Sequence, residues 1–358
     1  MGLRTVRAMT AKEFRQLRRD HRTVALLVFQ PLVLLVVFGY AASFDVDNVA
    51  TGVYGPGAAE VAAAVPPVLR VSTVDIGGTR ADAEAALRSG DTTVALLADQ
   101  QPPAVLIDGS QLFAARSVVT ALAGSPAAIH PEILYNPDLE TPPVLVPGLA
   151  GLVLAFVGTI ATSLGVVRER QNGTMEQLAV MPFRATDVLA GKLLPYLLVA
   201  LLDLGLVLTA AVTVFDVPFA GSPLLFATGA VIFLIVTLGL GLFISTVSEN
   251  QGQAMQLALM VTLPQVLLSG LIFPLEAMAD VLQWIAYALP LTWFVKVAIG
   301  VMLRGAGWSD LALPLLALSL QAVAVFSLAI VRVRRDLLPA GRLSRTRGRA
   351  RTAAAVQR

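Results

Sequence analysis

The sequence contains no cysteine and only two histidines, His21 and His130. Disulfides, thiolate nucleophiles and cysteine-held zinc or iron–sulfur centres are therefore excluded. Two histidines also argue against an all-histidine metal site or a histidine-rich redox centre, and no Ser–His pairing suggests a hydrolase. Charge is scarce: Asp, Glu, Lys and Arg make up 14% of 358 residues, against about 25% in soluble globular chains. The net charge is only +2, too small for a global field that would hold nucleic acid. Lysine occurs three times against 23 arginines, a bias of GC-rich bacterial genomes. A phosphate loop, G-x-x-x-x-G-K-[ST], is missing as well. Gly191-Lys192 runs into Leu193, and position 186 is Thr, so the residues cannot cradle a nucleotide's phosphates by that route.

What remains is apolar: 56% of the residues are hydrophobic and the mean hydropathy is +0.76. A spanning helix needs about 20 predominantly apolar residues. Thr23–Phe44, Val144–Val167, Pro223–Val247, Asn250–Leu275 and Leu311–Val331 meet that length without a charge, and Leu193–Phe215 is broken only by Asp203. Val281–Val295 has 15 residues, contains Pro290 and stops at Lys296. It is too short to span and reads as a re-entrant or interfacial pair of helices. With an inside N-terminus, six spans place 1–22, 168–192, 248–249 and 332–358 in the cytoplasm. These pieces hold 20 of the 26 Lys and Arg residues, as the positive-inside rule requires. The first apolar run is longer than a signal peptide's core and is preceded by 22 hydrophilic residues, so it is expected to remain as a span.

Asp45–Pro143 differs from the rest, with 12 acidic and 4 basic residues. Strand-like Val49–Tyr54, Val71–Ile76, Thr92–Leu97 and Ala104–Ile107 alternate with helix-like Ala58–Val65, Arg80–Arg88 and Gln111–Leu122. The alternation predicts a small extracytoplasmic α/β domain over 45–143, with Gly77-Gly78 and Asp108-Gly109 as turns. Ser110 is expected to be accessible from outside the cell.

Four features stand out from the spans. In Thr5–Arg22, the apolar Val6, Met9, Phe14 and Leu17 lie among seven cations from Arg4 to Arg22. They suit an amphipathic helix lying in the lipid headgroup layer, or a plain basic flank to span one. In the cytoplasmic loop 168–187, Thr174 to Gln177 forms a capping box, Glu176 opposes the helix dipole and Pro182 ends a short helix. Met175, Leu178 and Met181 are its apolar contacts, either for a partner or for this chain's own helix ends. Asp203 lies alone within a span and reads either as a functional intramembrane acid or as a packed carboxyl, in a helix–helix hydrogen bond or neutral and protonated. Gly239-Leu240-Gly241 lies inside a span and reads as close helix packing rather than a dinucleotide site.

The loop resembles the signature of the ABC-2 type permeases, membrane subunits of one class of ATP-binding-cassette exporters. Arg168, Glu169, Arg170, Gly173, Thr174, Glu176, Leu178, Pro182, Gly191, Lys192, Pro195 and Tyr196 carry the likeness, while Gln171 departs from the common Glu. Lys12-Glu13, Arg19-Asp20, Pro31 and Gly39-Tyr40-Ala41 match upstream. Ser269 to Leu275, Pro290 to Phe294 and Leu303-Arg304-Gly305 match downstream, with Ile299 where the family often has Arg. The resemblance implies an elbow helix over 1–22, span one over 23–44, and a bundle over 144–335. It also implies a helix in loop 168–187 that couples to a separate ATPase subunit and the re-entrant segment 276–303, while beyond the likeness the arginines mark a basic tail over 336–358.

The expected fold is thus a mainly α integral membrane protein with six spans, both ends cytoplasmic, in a bacterial plasma membrane. Coupling is expected from Arg168, Glu169, Arg170, Gly173, Thr174, Met175, Glu176, Leu178, Met181 and Pro182. Pro274, Trp284, Pro290 and Trp293 are expected to form an outer gate. ATP and Mg belong to the partner subunit, and this chain is expected to bind no cofactor or metal itself. Its other partners are lipids and a second permease copy or paralogue. Transport of a hydrophobic or amphipathic substrate competes with a second reading, a mechanical transmitter acting on an outside partner.

Overall fold

Apolar runs of this length become helices because, away from water, a helix satisfies its own backbone groups. In the computed structural model, which describes residues 21–41, 46, 48–99, 102–123, 131–172 and 185–337, helix α1 is His21–Ala41, with Pro31 inside it. Then follows the α/β domain: β1 (Val49–Tyr54), α2 (Ala58–Ala63), β2 (Leu69–Asp75), α3 (Arg80–Ser89), β3 (Val94–Leu97), β4 (Ala104–Asp108), α4 (Leu112–Ala123) and β5 (Glu132–Leu134). The bundle resumes with α5 (Thr141–Phe156), which runs through a π turn at Val157–Ala161 into α6 (Thr162–Gln171). It continues with α7 (Ala185–Val214), α8 (Pro223–Val247), α9 (Gln251–Leu268), α10 (Asp280–Ala288), α11 (Pro290–Met302) and α12 (Ala312–Leu337).

Among the described residues, four helices are long and apolar enough to cross a membrane: α5 joined to α6, Leu193–Val214 of α7, α8, and Ala312–Arg332 of α12. The pair α10–α11, bent by 81°, makes a fifth if it counts as one span. Six spans were expected. The apolar run starting at Asn250 is helical only as far as Leu268, and Gln251, Gln253, Gln256 and Gln265 lower its hydropathy. Gly173, Thr174, Met175, Glu176, Leu178, Met181 and Pro182 lie outside the described residues, as do the stretch 1–20 and the tail from 338.

The sheet has the order β2-β1-β3-β4-β5. Strand β1 is parallel to β2 and β3, β4 runs antiparallel to β3, and β5 is parallel to β4. Side chains alternate faces along a strand. Val94 and Leu96 of β3 pack with Val53, Val105, Ile107 and the Ala115–Val118 side of α4, whereas Ala95 and Leu97 pack with Tyr54, Leu106, Ala83 and Leu87 on the α3 side. Strand β3, covered on both faces, is therefore fully buried and apolar throughout. Helix α3 starts where Thr79 and Asp82 form a reciprocal capping box and stops at Gly90, whose φ of 82° is left-handed.

In the bundle, α8 packs against α12, α6 and α11. Phe233 of α8 stacks on Phe294 of α11 at 4.6 Å between centroids, and Phe226 meets the same ring edge-on at 6.0 Å. The expected close packing at Gly239 and Gly241 is present. A Cβ on Gly241 would lie 2.5 Å from the Thr159 carbonyl oxygen, and one on Gly239 2.9 Å from Val325, so larger residues would force α8 away from α6 or α12. A smaller cluster joins Val37 of α1 to Leu267 and Leu268 of α9 and to Leu282 and Ala286 of α10.

Candidate functional site

The bent pair is built on three carbonyls at the end of α10, of which Ala286 O also accepts from the Leu289 amide at 3.0 Å. Pro290 has no N–H and cannot continue α10, and the backbone at Leu289 is extended, with φ of −91° and ψ of 134°. The freed carbonyls are then taken by side chains. Thr292 Oγ1 donates to Ala286 O at 2.7 Å, Trp293 Nε1 to Tyr287 O at 2.7 Å, and Gln321 Nε2 of α12 to Ala288 O at 3.1 Å. Trp293 therefore holds the break as well as adding an aromatic surface. Lys296 lies over the Tyr287 and Trp293 rings, 4.8 and 5.5 Å from their centroids, a cation–π arrangement. Trp284 on α10 is 79% exposed. Pro274 is buried and precedes the 3₁₀ turn Leu275–Ala277 that leads into α10. Of the four expected gate residues, Trp293 and Pro290 meet at the break, Trp284 faces outward and Pro274 shapes the entry.

The hairpin abuts the α/β domain. Leu112 of α4 joins the bundle's apolar core, and Ala277 packs on the domain's core. Past α11, the chain turns at Gly305 (φ 63°) and directs Arg304 into the domain, where Nη1 lies 3.6 Å from Asp108 Oδ2. Asp108 ends β4, is fully buried, and accepts through Oδ1 from the Ser110 amide at 2.9 Å. Burial pushes its carboxyl above the ordinary carboxylate range, while Arg304 and Ser110 pull the other way. Burial also raises the Tyr135 phenol, to which the Asp108 charge contributes. Sequence reasoning had Asp108 as a turn residue and Arg304 as part of a family match. Nothing local to either residue signalled that they meet.

At the other end of α6, Arg168, Glu169 and Arg170 occupy the last turn, where basic residues complement the helix dipole. Arg170 Nη1 donates to the Ser248 carbonyl at 3.0 Å and Gln251 Nε2 to Gln171 Oε1 at 3.0 Å. These bonds tie the start of loop 168–187 to the tight α8–α9 connection, where Asn250 caps α9 through its bond from the Gln253 amide. Asp203, on α7, is half-buried and has no hydrogen-bond or ion-pair partner among the described residues.

A helical bundle with several membrane-length apolar helices, a broken helix pair at one end and a domain spliced between its first and second helices has the anatomy of a membrane permease. The model of the ABC-2 family transporter protein matches residues 21–331, and the chain belongs to that family. It is 30% identical over 339 residues to the probable multidrug ABC transporter permease YbhS of Escherichia coli K12, covering 85% of this chain and 90% of that one. It is 29% identical over 335 residues to the probable multidrug ABC transporter permease YbhR of the same organism, covering 84% and 91%. Similarity to ABC transporter G family member 20 of Dictyostelium discoideum, 29% over 179 residues, takes in 50% of this chain and 24% of that one. No solved structure matches the chain. Permeases of this family lack ATPase motifs of their own, and the family implies association with an ABC ATPase subunit.

Proposed function

We propose that this chain is the membrane subunit of an exporter that moves a hydrophobic or amphipathic compound out of a bacterial cell, driven by ATP hydrolysed on a separate subunit. In this reading α1 and α9 complete six spans, both termini are cytoplasmic and domain 45–143 lies outside. Two copies, or one copy and a paralogue, enclose the pathway, with lipid on the remaining apolar faces. Relatives named as multidrug permeases support the substrate class. The observation that carries the reading is the hairpin: two helices bent by 81° and held at the break by side-chain caps, a reversible closure at one end of the bundle. The opposite end carries the loop through which force would enter, with Gly173, Thr174, Met175, Glu176, Leu178, Met181 and Pro182 forming the docking helix and Arg168, Glu169 and Arg170 its rigid base. ATP and Mg bind the partner, and Asp203 is a candidate polar point along the pathway.

The test is transport and substrate-stimulated ATPase activity in proteoliposomes holding this chain and its ATPase, with membrane insertion measured separately. Glu176→Lys puts a positive charge at a helix N-terminus, a penalty of about 0.3–1 kcal/mol on its own. A larger loss, shared by Leu178→Asp, is expected if the helix docks on the ATPase, because a charge-assisted contact goes with it. Near-normal activity of both variants would remove the coupling helix from the mechanism. The contact between Arg304 and the domain favours the mechanical transmitter as a second reading, for which ATPase cycles would move the domain without any cargo crossing.

A further inference from the structure

We propose that Asp108 and Arg304 are positioning residues that set the register of the α/β domain on the hairpin, so that domain and gate move as one body. The inference rests on the reading of the hairpin as the gate. Apolar contacts also join the two parts, through Leu112 and Ala277, but apolar contacts are non-directional and tolerate sliding. A buried ion pair does not, since separating it leaves a charge without water or partner. The Arg304 side chain is 4% exposed and that of Asp108 0%, and the two come from segments far apart in the chain. Nε and Nη1 of Arg304 and Oδ2 of Asp108 make no hydrogen bond, so their attraction is charge contact at 3.6 Å rather than a shared proton. The path of the guanidinium is built into the domain. It passes over Gly90, where a Cβ would run into it, at the left-handed residue that also ends α3. On the hairpin side, Arg304 lies one residue past the Leu303 cap of α11, its amide bonded to the Ile299 carbonyl at 3.4 Å and Gly300 O accepting from Ala306 N at 2.9 Å. Movement of α11 therefore reaches the guanidinium with little slack.

Because the chain has no cysteine, spin labels can be placed cleanly at Ala81→Cys on α3 and Val281→Cys on α10, both exposed positions. The labelled chain is then assembled with its ATPase in lipid nanodiscs and the inter-label distance distribution recorded by pulsed EPR. A single narrow distribution is expected with the native pair. Asp108→Asn and Arg304→Gln should each broaden it and weaken the domain's hydrogen-exchange protection, because each strands a buried polar or charged partner. The double variant, Asp108→Asn with Arg304→Gln, should recover protection but keep the broad distribution, since register and not stability depends on the charges. A narrow distribution in the double variant, or in both single variants, would overturn the proposal. If the single variants fail to insert, the double variant alone decides by the same criterion. Ethidium transport in matched proteoliposomes is read in parallel. At least a several-fold fall in dye moved per ATP hydrolysed is expected in the double variant, and an unchanged ratio counts against the proposal. A wild type that moves no ethidium while its distances behave as expected would fault the exporter reading and leave the positioning pair standing.

Discussion

At Asp108, burial and pairing pull against each other, and the sign of the outcome is measurable. Its carboxyl lies above the ordinary range because it is buried, Arg304 offsetting only part of the effect. The folded domain then holds a proton there at pH values where the unfolded chain has already lost it. Stability contributed by this group is greatest below the unfolded pKa and falls as pH rises through the raised folded pKa. Hydrogen-exchange protection of the β3 and β4 amides in the full chain should therefore decline over that window in the wild type, relative to Asp108→Asn, which has no titrating group. Parallel pH profiles of the two proteins would refute this. Gly90 is a second residue whose identity is forced. A left-handed φ of 82° and the adjacent guanidinium both exclude a Cβ, so Gly90→Ala should cost about 1 kcal/mol or more in domain stability, read by the same exchange experiment. The glycine itself is visible in the sequence, as the residue closing a helical run, but the guanidinium above it is not, because Arg304 arrives from the other end of the chain.

Among the elements, the hairpin shows best how a local rule and a distant contact share the work. Pro290 and the short apolar run locate the break, since a residue without an N–H cannot extend α10. What the run does not reveal is how the freed carbonyls are satisfied, for the partners are Thr292 and Trp293 just beyond the break and Gln321 on another helix. Thr292→Val keeps the shape and removes one buried hydrogen bond, while Ala286 O keeps the Leu289 amide as its donor, so it should destabilise the hairpin by about 0.5–1.5 kcal/mol. The expected readout is faster exchange of the α10 amides with insertion unchanged, and protection equal to wild type would contradict it. Trp293→Ala should do the same and also uncover Lys296, with a larger effect on transport than Trp284→Ala, whose ring is 79% exposed. In the domain, the helix expected over Arg80–Arg88 starts at Arg80, and the structure adds the capping box of Thr79 and Asp82 that fixes that start. Thr79→Ala should cost about 0.5–2 kcal/mol in α3. The π turn at Val157–Ala161 had no counterpart in the sequence, whose apolar run simply continues through it.

For the whole molecule, topology is the property most open to test. If domain 45–143 is outside and loop 168–187 inside, a cysteine at Ala81 should react with an impermeant thiol reagent in intact cells and one at Gln171 should not. Both positions are exposed. Ser110, which the sequence offered as a reporter, is only 2% exposed beside Asp108 and would be protected on either side of the membrane. Labelling at both Ala81 and Gln171, or at Gln171 alone, would overturn the arrangement.

Composition and local pattern alone determined that this chain is a membrane protein carrying an α/β insert, that it cannot bind a nucleotide through a phosphate loop, and that it breaks near Pro290. Long apolar runs, alternating strand and helix periods and a missing N–H act over a few residues and need no partner to be read. The tertiary structure decided which strands are neighbours, with β4 and β5 running opposite to β1, β2 and β3, where α8 finds room for α6 and α12, and that Asp108 meets Arg304. These depend on residues far apart in the chain being brought together by burial, which is non-directional and leaves no periodic trace at either partner.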